Sequence, residues 1–409
     1  MALRSGTSSS KLPPLQNQPV IAGCDIVHEA KNRHGRATLP IVRIGITCYP
    51  TYGGSGIVAT ELGLELAARG HEIHFISYAN PIRLDPDIPR IHYHEVEVST
   101  YPLFQYPPYC LALASRMAEV AECYELDLLH VHYAIPHSIA ALLAKQMTTT
   151  RRLPFITTLH GTDITLVGAD RSYFPITKFS IEQSDGITTI SGYLEKRTAE
   201  VFGVANPIRV IHNFVNCDLY RPARERRNGE KRLIHISNFR PVKRVLDCIR
   251  ILKEVRRTVP VHLIMAGDGP DRGPAEMLAH DLGVLHDVTF LGKQDHIERL
   301  IPTADVLLLP SEMEAFGLAA LEAMACGVPP IATLTGGVSE LITHNLDGFL
   351  APVGDVATQA GYVTALLTDD ALYEHMSKAA RHSAETRYST VSIIPQYEQY
   401  YREVLGGGA

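Results

Sequence analysis

Two doubly wound α/β domains, Rossmann-like and facing each other across a cleft, are the fold that this sequence predicts, and three observations predict it. From Ile41 onward short apolar runs alternate with longer helix-forming ones, the pattern of parallel strands joined by right-handed crossovers. The pattern starts again after a charged stretch, Arg221–Lys231, that holds the turn pair Asn228-Gly229. The chain has 409 residues, more than one ordinary domain holds. The expected division is a tail over 1–40, a first domain over 41–215, a second over 216–388 and a C-terminal segment over 389–409.

In the first half, Val42–Cys48 reads as a strand, Ile57–Arg69 as a helix and Glu72–Ser77 as the next strand. Leu111–Tyr124 is helical, Leu128–His132 a strand, Ser138–Gln146 helical and Phe155–Leu159 a strand. Gly186–Ile190 and Ile208–His212 complete that sheet. In the second half, strand Leu233–Ser237 precedes helix Val245–Thr258. Strands follow at Val261–Ala266, Val288–Leu291, Val306–Leu309 and Pro330–Ala332. The first forty residues are poor in apolar content, and Val20–Val27 is broken by Gly23 and Asp25, so no signal-peptide core is expected there.

Composition narrows the function classes. Hydrophobic content of 45% and charged content of 20% suit a globular enzyme. A net charge of −6 without a basic run argues against nucleic-acid binding. No uninterrupted apolar run reaches the ~18 residues of a membrane span. Seven cysteines, an odd number without a Cys-x-x-Cys pair, read as reduced thiols of a cytoplasmic protein. Cys48, Cys248 and Cys326 lie in apolar or small-residue surroundings, and Cys24 in the tail is the thiol expected to be exposed.

The densest chemistry is in Pro310–Pro329. Glu314 follows the strand Val306–Leu309, and Glu322 lies inside the helix-forming run Leu318–Met324, with Phe316-Gly317-Leu318 between them. A helix N-terminus offers free amides to a diphosphate. Carboxylates on either side are suited to sugar hydroxyls. The spacing is equally compatible with surface acids before a buried helix.

Gly53-Gly54-Ser55-Gly56 opens the first helix and suits an anion held on backbone amides. Gly54-x-Gly56-x-x-Ala59 satisfies a dinucleotide fingerprint, but the second strand runs into Tyr78-Ala79-Asn80 without the acid that would hold a ribose. A small dicarboxylate fits better than a nicotinamide cofactor. His130, His132 and His137 cluster around Tyr133. His130 and His132 alternate on one face of a strand with no acid close behind, so lining the cleft is preferred to ligating a metal. His160-Gly161-Thr162-Asp163 leaves strand Phe155–Leu159, either as a site loop or as a turn stapled by Asp163. Asn213 lies at the exit of the first domain and is expected to face the cleft. In the second domain Arg240 and Lys243 stand at a helix start, where cations oppose the dipole and a bound anion would relieve the conflict. Gly267-Asp268-Gly269-Pro270 reads as a structural turn.

The Glu314/Glu322 spacing resembles the Glu-x7-Glu motif of retaining GT-B glycosyltransferases, in particular glycosyltransferase family 4. Ile44–Gly56, Leu129–His137, Thr157–Asp163 and Ser237–Arg244 are similar to the branch of that family that joins N-acetylglucosamine to L-malate at the opening of bacillithiol biosynthesis. The resemblance runs from Val42 to the C-terminus. It implies a UDP-GlcNAc donor, an L-malate acceptor and neither metal nor cofactor. It assigns Arg240 and Lys243 to the leaving diphosphate, Glu314 to the sugar and Glu322 to the ribose. The Gly317 and Leu318 amides would meet the diphosphate, and Gly292-Lys293-Gln294 would border the uracil; Gly54, Asn213 and Phe316 go with the donor. Ser55, Tyr133 and Thr158 would contact malate, and His160 would stand beside the transferred sugar. A C-terminal helix around Pro395–Leu405 would pack back on the first domain. Pro241 and Ser339 depart from the family pattern. Another small acceptor, such as an inositol phosphate or a lipid-linked sugar, and a non-catalytic nucleotide-sugar-binding protein remain the alternatives. Homo-oligomerisation is left open.

Overall fold

Seven parallel strands build the first sheet: β1 (Arg43–Thr47), β2 (Glu72–Ser77), β3 (Ile91–Glu95), β4 (Leu128–His132), β5 (Phe155–Leu159), β6 (Gly186–Thr189) and β7 (Ile208–Val210), in the order β3-β2-β1-β4-β5-β6-β7. Six more build the second: β8 (Lys231–Ile236), β9 (Val261–Ala266), β10 (Val288–Gly292), β11 (Val306–Leu309), β12 (Pro330–Thr333) and β13 (Phe349–Ala351), in the order β10-β9-β8-β11-β12-β13. The computed structural model describes residues 41–406 apart from 52, 86, 100, 101, 104, 166, 167 and 224–228. The tail with Cys24 and the middle of the 221–231 stretch, Asn228 included, therefore lie outside the described residues.

Strands β4, β5, β6, β11 and β12 are buried along their whole length. Helices on both faces of a parallel sheet remove it from water: β11 is wholly apolar, β5, β6 and β12 hold only apolar residues, glycine and threonine, and β4 buries His130 and His132 as well. Strand order reverses between β1 and β4 in one sheet and between β8 and β11 in the other. Such switch points open crevices at the carboxyl ends of strands, where α/β proteins bind ligands.

Several boundaries differ from the sequence expectation. The first helix begins at Gly54, not Ile57. Gly56 lies inside it, where a Cβ would come within 2.5 Å of the Tyr49 carbonyl oxygen, so only glycine lets this turn lie on the preceding loop. β7 stops at Val210, and the helix from Val245 stops at Val255. Neither β3 nor β13 is anticipated, because β3 is a half-exposed edge, Ile-His-Tyr-His-Glu, and β13 has 3 residues.

The C-terminal helix spans Thr390–Leu405 with Pro395 inside it. It packs on the first sheet through Ile393, Ile394, Tyr397 and Tyr401. Glu398 fastens it, accepting two bonds of 2.8 Å from Arg69 and lying 3.2 Å from His71 Nε2. The two halves also meet at the start of helix Gly192–Phe202: Glu340 of the second half accepts from the Gly192 and Tyr193 amides at 2.9 and 2.6 Å. Ser191 Oγ donates to the Ala315 carbonyl at 2.7 Å.

Candidate active site

The loops leaving β1, β8, β10 and β11 enclose a cavity of about 260 Å³ between the two halves. Gly53, Gly54, Ile57 and Arg83 form its first-domain wall. Lys243, Glu314, Gly317, Leu318 and Glu322 form the opposite wall, and Lys293 and Gln294 close one end. Eight residues proposed from the sequence, Gly54, Lys243, Lys293, Gln294, Glu314, Gly317, Leu318 and Glu322, thus share one space.

Local backbone chemistry sets the second-domain wall. Gly317 takes φ +94° before helix Leu318–Ala325, a conformation that glycine adopts without strain, and turns the free amides of that helix toward the cavity. Pro241 begins the single turn Pro241–Lys243. Its fixed φ suits that first position and its missing N–H costs nothing there, so the departure from the family pattern pre-forms the loop that carries Lys243. Lys243 Nζ donates to Glu314 Oε1 at 2.6 Å, and Ser311 Oγ donates to the same oxygen at 2.8 Å. This leaves Glu314 Oε2 and two ammonium hydrogens for a ligand. Arg240 is exposed on the preceding loop, close enough to Tyr133 to influence its hydroxyl. Arg244 turns away to Asp247, 2.7 Å distant.

Glu322 is buried and accepts from the Tyr220 hydroxyl through Oε1 at 2.8 Å. Burial pushes its carboxyl up to about 7, opposed by the Arg83 guanidinium and the Tyr220 bond. Arg83 itself holds φ +64°, lies 3.4 Å from Glu61 and lines the cavity across from Glu322. Sequence reading singled out neither Arg83 nor Tyr220, since each is a lone residue in a connecting segment. No local pattern in the sequence marks either of them.

On the acceptor side, Ser55 is partly exposed in the first turn of helix Gly54–Ala68. Tyr133 leaves β4 at φ +95°, rare for a non-glycine residue. Its amide is bonded to the Thr158 carbonyl at 2.9 Å and its hydroxyl to Thr162. Burial raises the Tyr133 hydroxyl above its ordinary value.

Other residues sit beneath the cavity and not in it. Thr158 is fully buried, with its hydroxyl 2.7 Å from His130 Nε2 and 2.6 Å from Thr188 Oγ1. Any service it gives an acceptor passes through those partners or its backbone. Phe316 belongs to the core and packs against His212 and Tyr388. Gly292 accepts through its carbonyl from the Gly267 amide at 2.8 Å. Asn213 is buried, and its Oδ1 has no partner among the described residues. His130, His132 and His137, expected to line the cleft, are buried: the first two because β4 lies in the middle of its sheet with both faces covered, and His137 in the turn Ala134–Ser138 that follows it.

His160 is half-buried beside Gly161, and the Asp163 carboxylate accepts from the His160, Gly161 and Ala134 amides at 3.1, 2.7 and 3.2 Å. The turn stapled by Asp163 is therefore present, and it sets the backbone of His160. Burial raises the Asp163 carboxyl to about 6 against those amide bonds. With both oxygens committed, Asp163 is a poor nucleophile. Among the described residues no group of three or more His, Cys, Asp and Glu side chains is arranged to hold a metal ion, and no helix is long and apolar enough to cross a membrane.

Comparison with known proteins agrees with this geometry. Residues 52–219 match the family Glycosyltransferase Family 4, and residues 218–383 match Glycosyl transferases group 1. The N-acetyl-alpha-D-glucosaminyl L-malate synthase of Bacillus anthracis is 47% identical over 372 residues, covering 89% of this chain and 97% of that protein. The D-inositol 3-phosphate glycosyltransferase of Mycobacterium marinum is 25% identical over 391 residues, 87% of this chain and 82% of that one. Among solved structures, a glycosyltransferase from Rickettsia africae has a TM-score of 0.74 at 21% identity, covering 90% of this chain and all (100%) of that one. Anabaena HepE in complex with UDP-glucose has a TM-score of 0.72 at 20% identity, covering 88% and 98%. At those identities the structures support the shared fold.

Proposed function

This chain belongs to glycosyltransferase family 4, and from that premise we propose that it moves N-acetylglucosamine from UDP-GlcNAc to the 2-hydroxyl of L-malate with retention at the anomeric carbon. The observation that carries the donor half is the wall formed by Lys243, Glu314, the free amides of helix Leu318–Ala325 and buried Glu322 around one cavity. The acceptor half rests on the 47% identity with the malate enzyme across nearly all of both chains.

In this reading Glu322 takes the ribose hydroxyls, the Gly317 and Leu318 amides take the diphosphate, and Lys293 and Gln294 border the base. Glu314 holds a sugar hydroxyl while it positions Lys243. Malate lies on the Gly53–Gly56 loop, against the amides that open the helix from Gly54 and the Ser55 hydroxyl, with Tyr133 above it. The bond from the anomeric carbon to the diphosphate oxygen breaks, and the malate 2-oxygen bonds to that carbon on the same face. The malate hydroxyl proton passes to the departing diphosphate oxygen. Arg240 and Lys243 offset the negative charge that grows there. The Asp163 carboxylate, tied to three amides, favours this front-face departure over a covalent glycosyl intermediate. Approach of the two halves would exclude water and align the reactants.

The test is UDP release from UDP-GlcNAc with and without L-malate, in EDTA. Release that needs malate and ignores EDTA is expected. Release unaffected by malate would overturn the acceptor, and full loss in EDTA would overturn the metal-free role given to Arg240 and Lys243.

A further inference from the structure

Below His160 lies a second histidine that the proposed mechanism does not use. His132, at the end of β4, has its ring Nδ1 2.9 Å from His160 Nε2. The backbones of both residues are pinned: His137 Nδ1 donates to the His132 carbonyl at 2.6 Å, and Asp163 accepts from the His160 amide at 3.1 Å. One proton lies between the two rings, and the network fixes which ring supplies it. His132 is fully buried, and its Nε2 has no partner among the described residues. A proton on that nitrogen would be a buried donor with nothing to accept it, at a cost of about 1–3 kcal/mol. A bare nitrogen lone pair is the lesser loss. Burial keeps both rings neutral at ordinary pH, holding His132 well below its usual range and His160 near 3. The His132 proton therefore sits on Nδ1, His160 Nε2 accepts it, and the one proton of the His160 ring sits on Nδ1.

We propose that His132 is a positioning residue that fixes the ring plane and tautomer of His160, so that His160 meets the transferred sugar as an Nδ1–H donor and not as a lone pair. This rests on the reading of His160 as a sugar contact, and deepens it. The alternative, a buried pair that only stabilises the strand ends, makes different predictions.

Three variants separate the two. The side-chain amide of His132→Asn reaches the position of the ring Nδ1, His132→Gln reaches that of Nε2, and His132→Phe keeps the ring shape without a donor. His132→Phe and His132→Gln should lower kcat on the order of 10-fold to 100-fold, the cost typical of removing a group that orients a catalytic ligand, with KM for UDP-GlcNAc little changed. His132→Asn should recover most of the loss. Imidazole nitrogen chemical shifts of the wild-type protein should show His160 protonated on Nδ1. Equal losses in all three variants, following their loss of thermal stability, would overturn the proposal. So would a wild-type spectrum with His160 protonated on Nε2, a result that needs no variant to fold. His160→Ala keeps the two readings apart. If it leaves kcat intact, the sugar-contact reading itself fails; if it lowers kcat while His132→Phe does not, only the positioning role fails.

Discussion

Replacing Glu322 with glutamine keeps the shape and the acceptor for the Tyr220 hydroxyl while removing the charge. Burial raises the Glu322 carboxyl from 4.5 to about 7, a displacement of about 2.5 pH units, or about 3 kcal/mol at ~1.4 kcal/mol per unit. The folded protein keeps this proton up to about 7, whereas the unfolded chain releases it near 4.5. Between those values the folded state binds more protons, so stability falls as pH rises. The contribution is fully present below 4.5 and lost as pH passes about 7. Glutamine has no proton to lose. Relative to wild type, Glu322→Gln should therefore gain up to about 3 kcal/mol between the acid and the alkaline end of this window. Urea unfolding of both proteins at a series of pH values across the window reads the difference directly, since other titrating groups cancel. A difference that stays flat with pH would refute the argument. The same carboxylate must ionise to accept two ribose hydroxyls. Donor affinity of the wild type should then improve as pH rises through about 7, and in the variant it should be weaker and insensitive to pH.

Three further outcomes are expected. Lys243→Ala should lower kcat by ~10²-fold or more, by analogy with the loss of one preorganised donor to a developing oxyanion; an unchanged kcat would remove Lys243 from the diphosphate. Ser55→Ala should raise KM for malate and leave KM for UDP-GlcNAc alone, and an equal effect on both would sink the acceptor-loop assignment. Glu398→Ala strips the buried partner from half-exposed Arg69 and from His71 and should cost about 1–2 kcal/mol in urea unfolding. Less than ~0.5 kcal/mol, the range of ordinary surface changes, would mean that Glu398 does not anchor the C-terminal helix.

What could be read from the sequence follows the range over which each signal acts. Val306–Leu309 is legible as a strand because it is apolar throughout, as suits a strand covered on both faces, and Phe155–Leu159 because its aromatic, β-branched and apolar residues favour a strand. The Glu314 to Glu322 spacing is legible because strand, glycine and helix follow one another in the chain. Arg83 is not legible. Its relation to Glu322 exists only because the loop after β2 crosses from the other half, and no local pattern marks a lone arginine. The destination of Thr158 and His130 is hidden for a similar reason. Periodicity puts them on one face of the sheet, but Tyr401, far along the chain, decides that this face is covered: its hydroxyl lies 2.7 Å from His130 Nδ1. His160-Gly161-Thr162-Asp163 is legible as a turn because the bonds from the His160 and Gly161 amides to Asp163 span only two or three residues.

Within the candidate site the charges are sorted by depth, and the sorting bears on specificity. The Lys243 side chain is 22% exposed and that of Glu314 11%; Glu322 is 4% exposed, while Arg240 stands in the open. A nucleotide sugar entering the cavity would meet cations before carboxylates. The outer layer favours any diphosphate, and its attraction is long-ranged and undirected. The inner layer demands neutral hydroxyls, because a buried carboxylate rejects a second anion and rewards a donor placed within hydrogen-bond reach. On the proposed function, charge would select the class of ligand at the mouth, and directional bonds would select the sugar and the ribose inside. The Lys243–Glu314 contact, at 2.6 Å, joins the two layers. A change at Glu314 should therefore disturb the diphosphate as well as the transferred sugar, and Glu314→Gln should weaken binding of UDP alone, which has a ribose but lacks the transferred sugar assigned to Glu314.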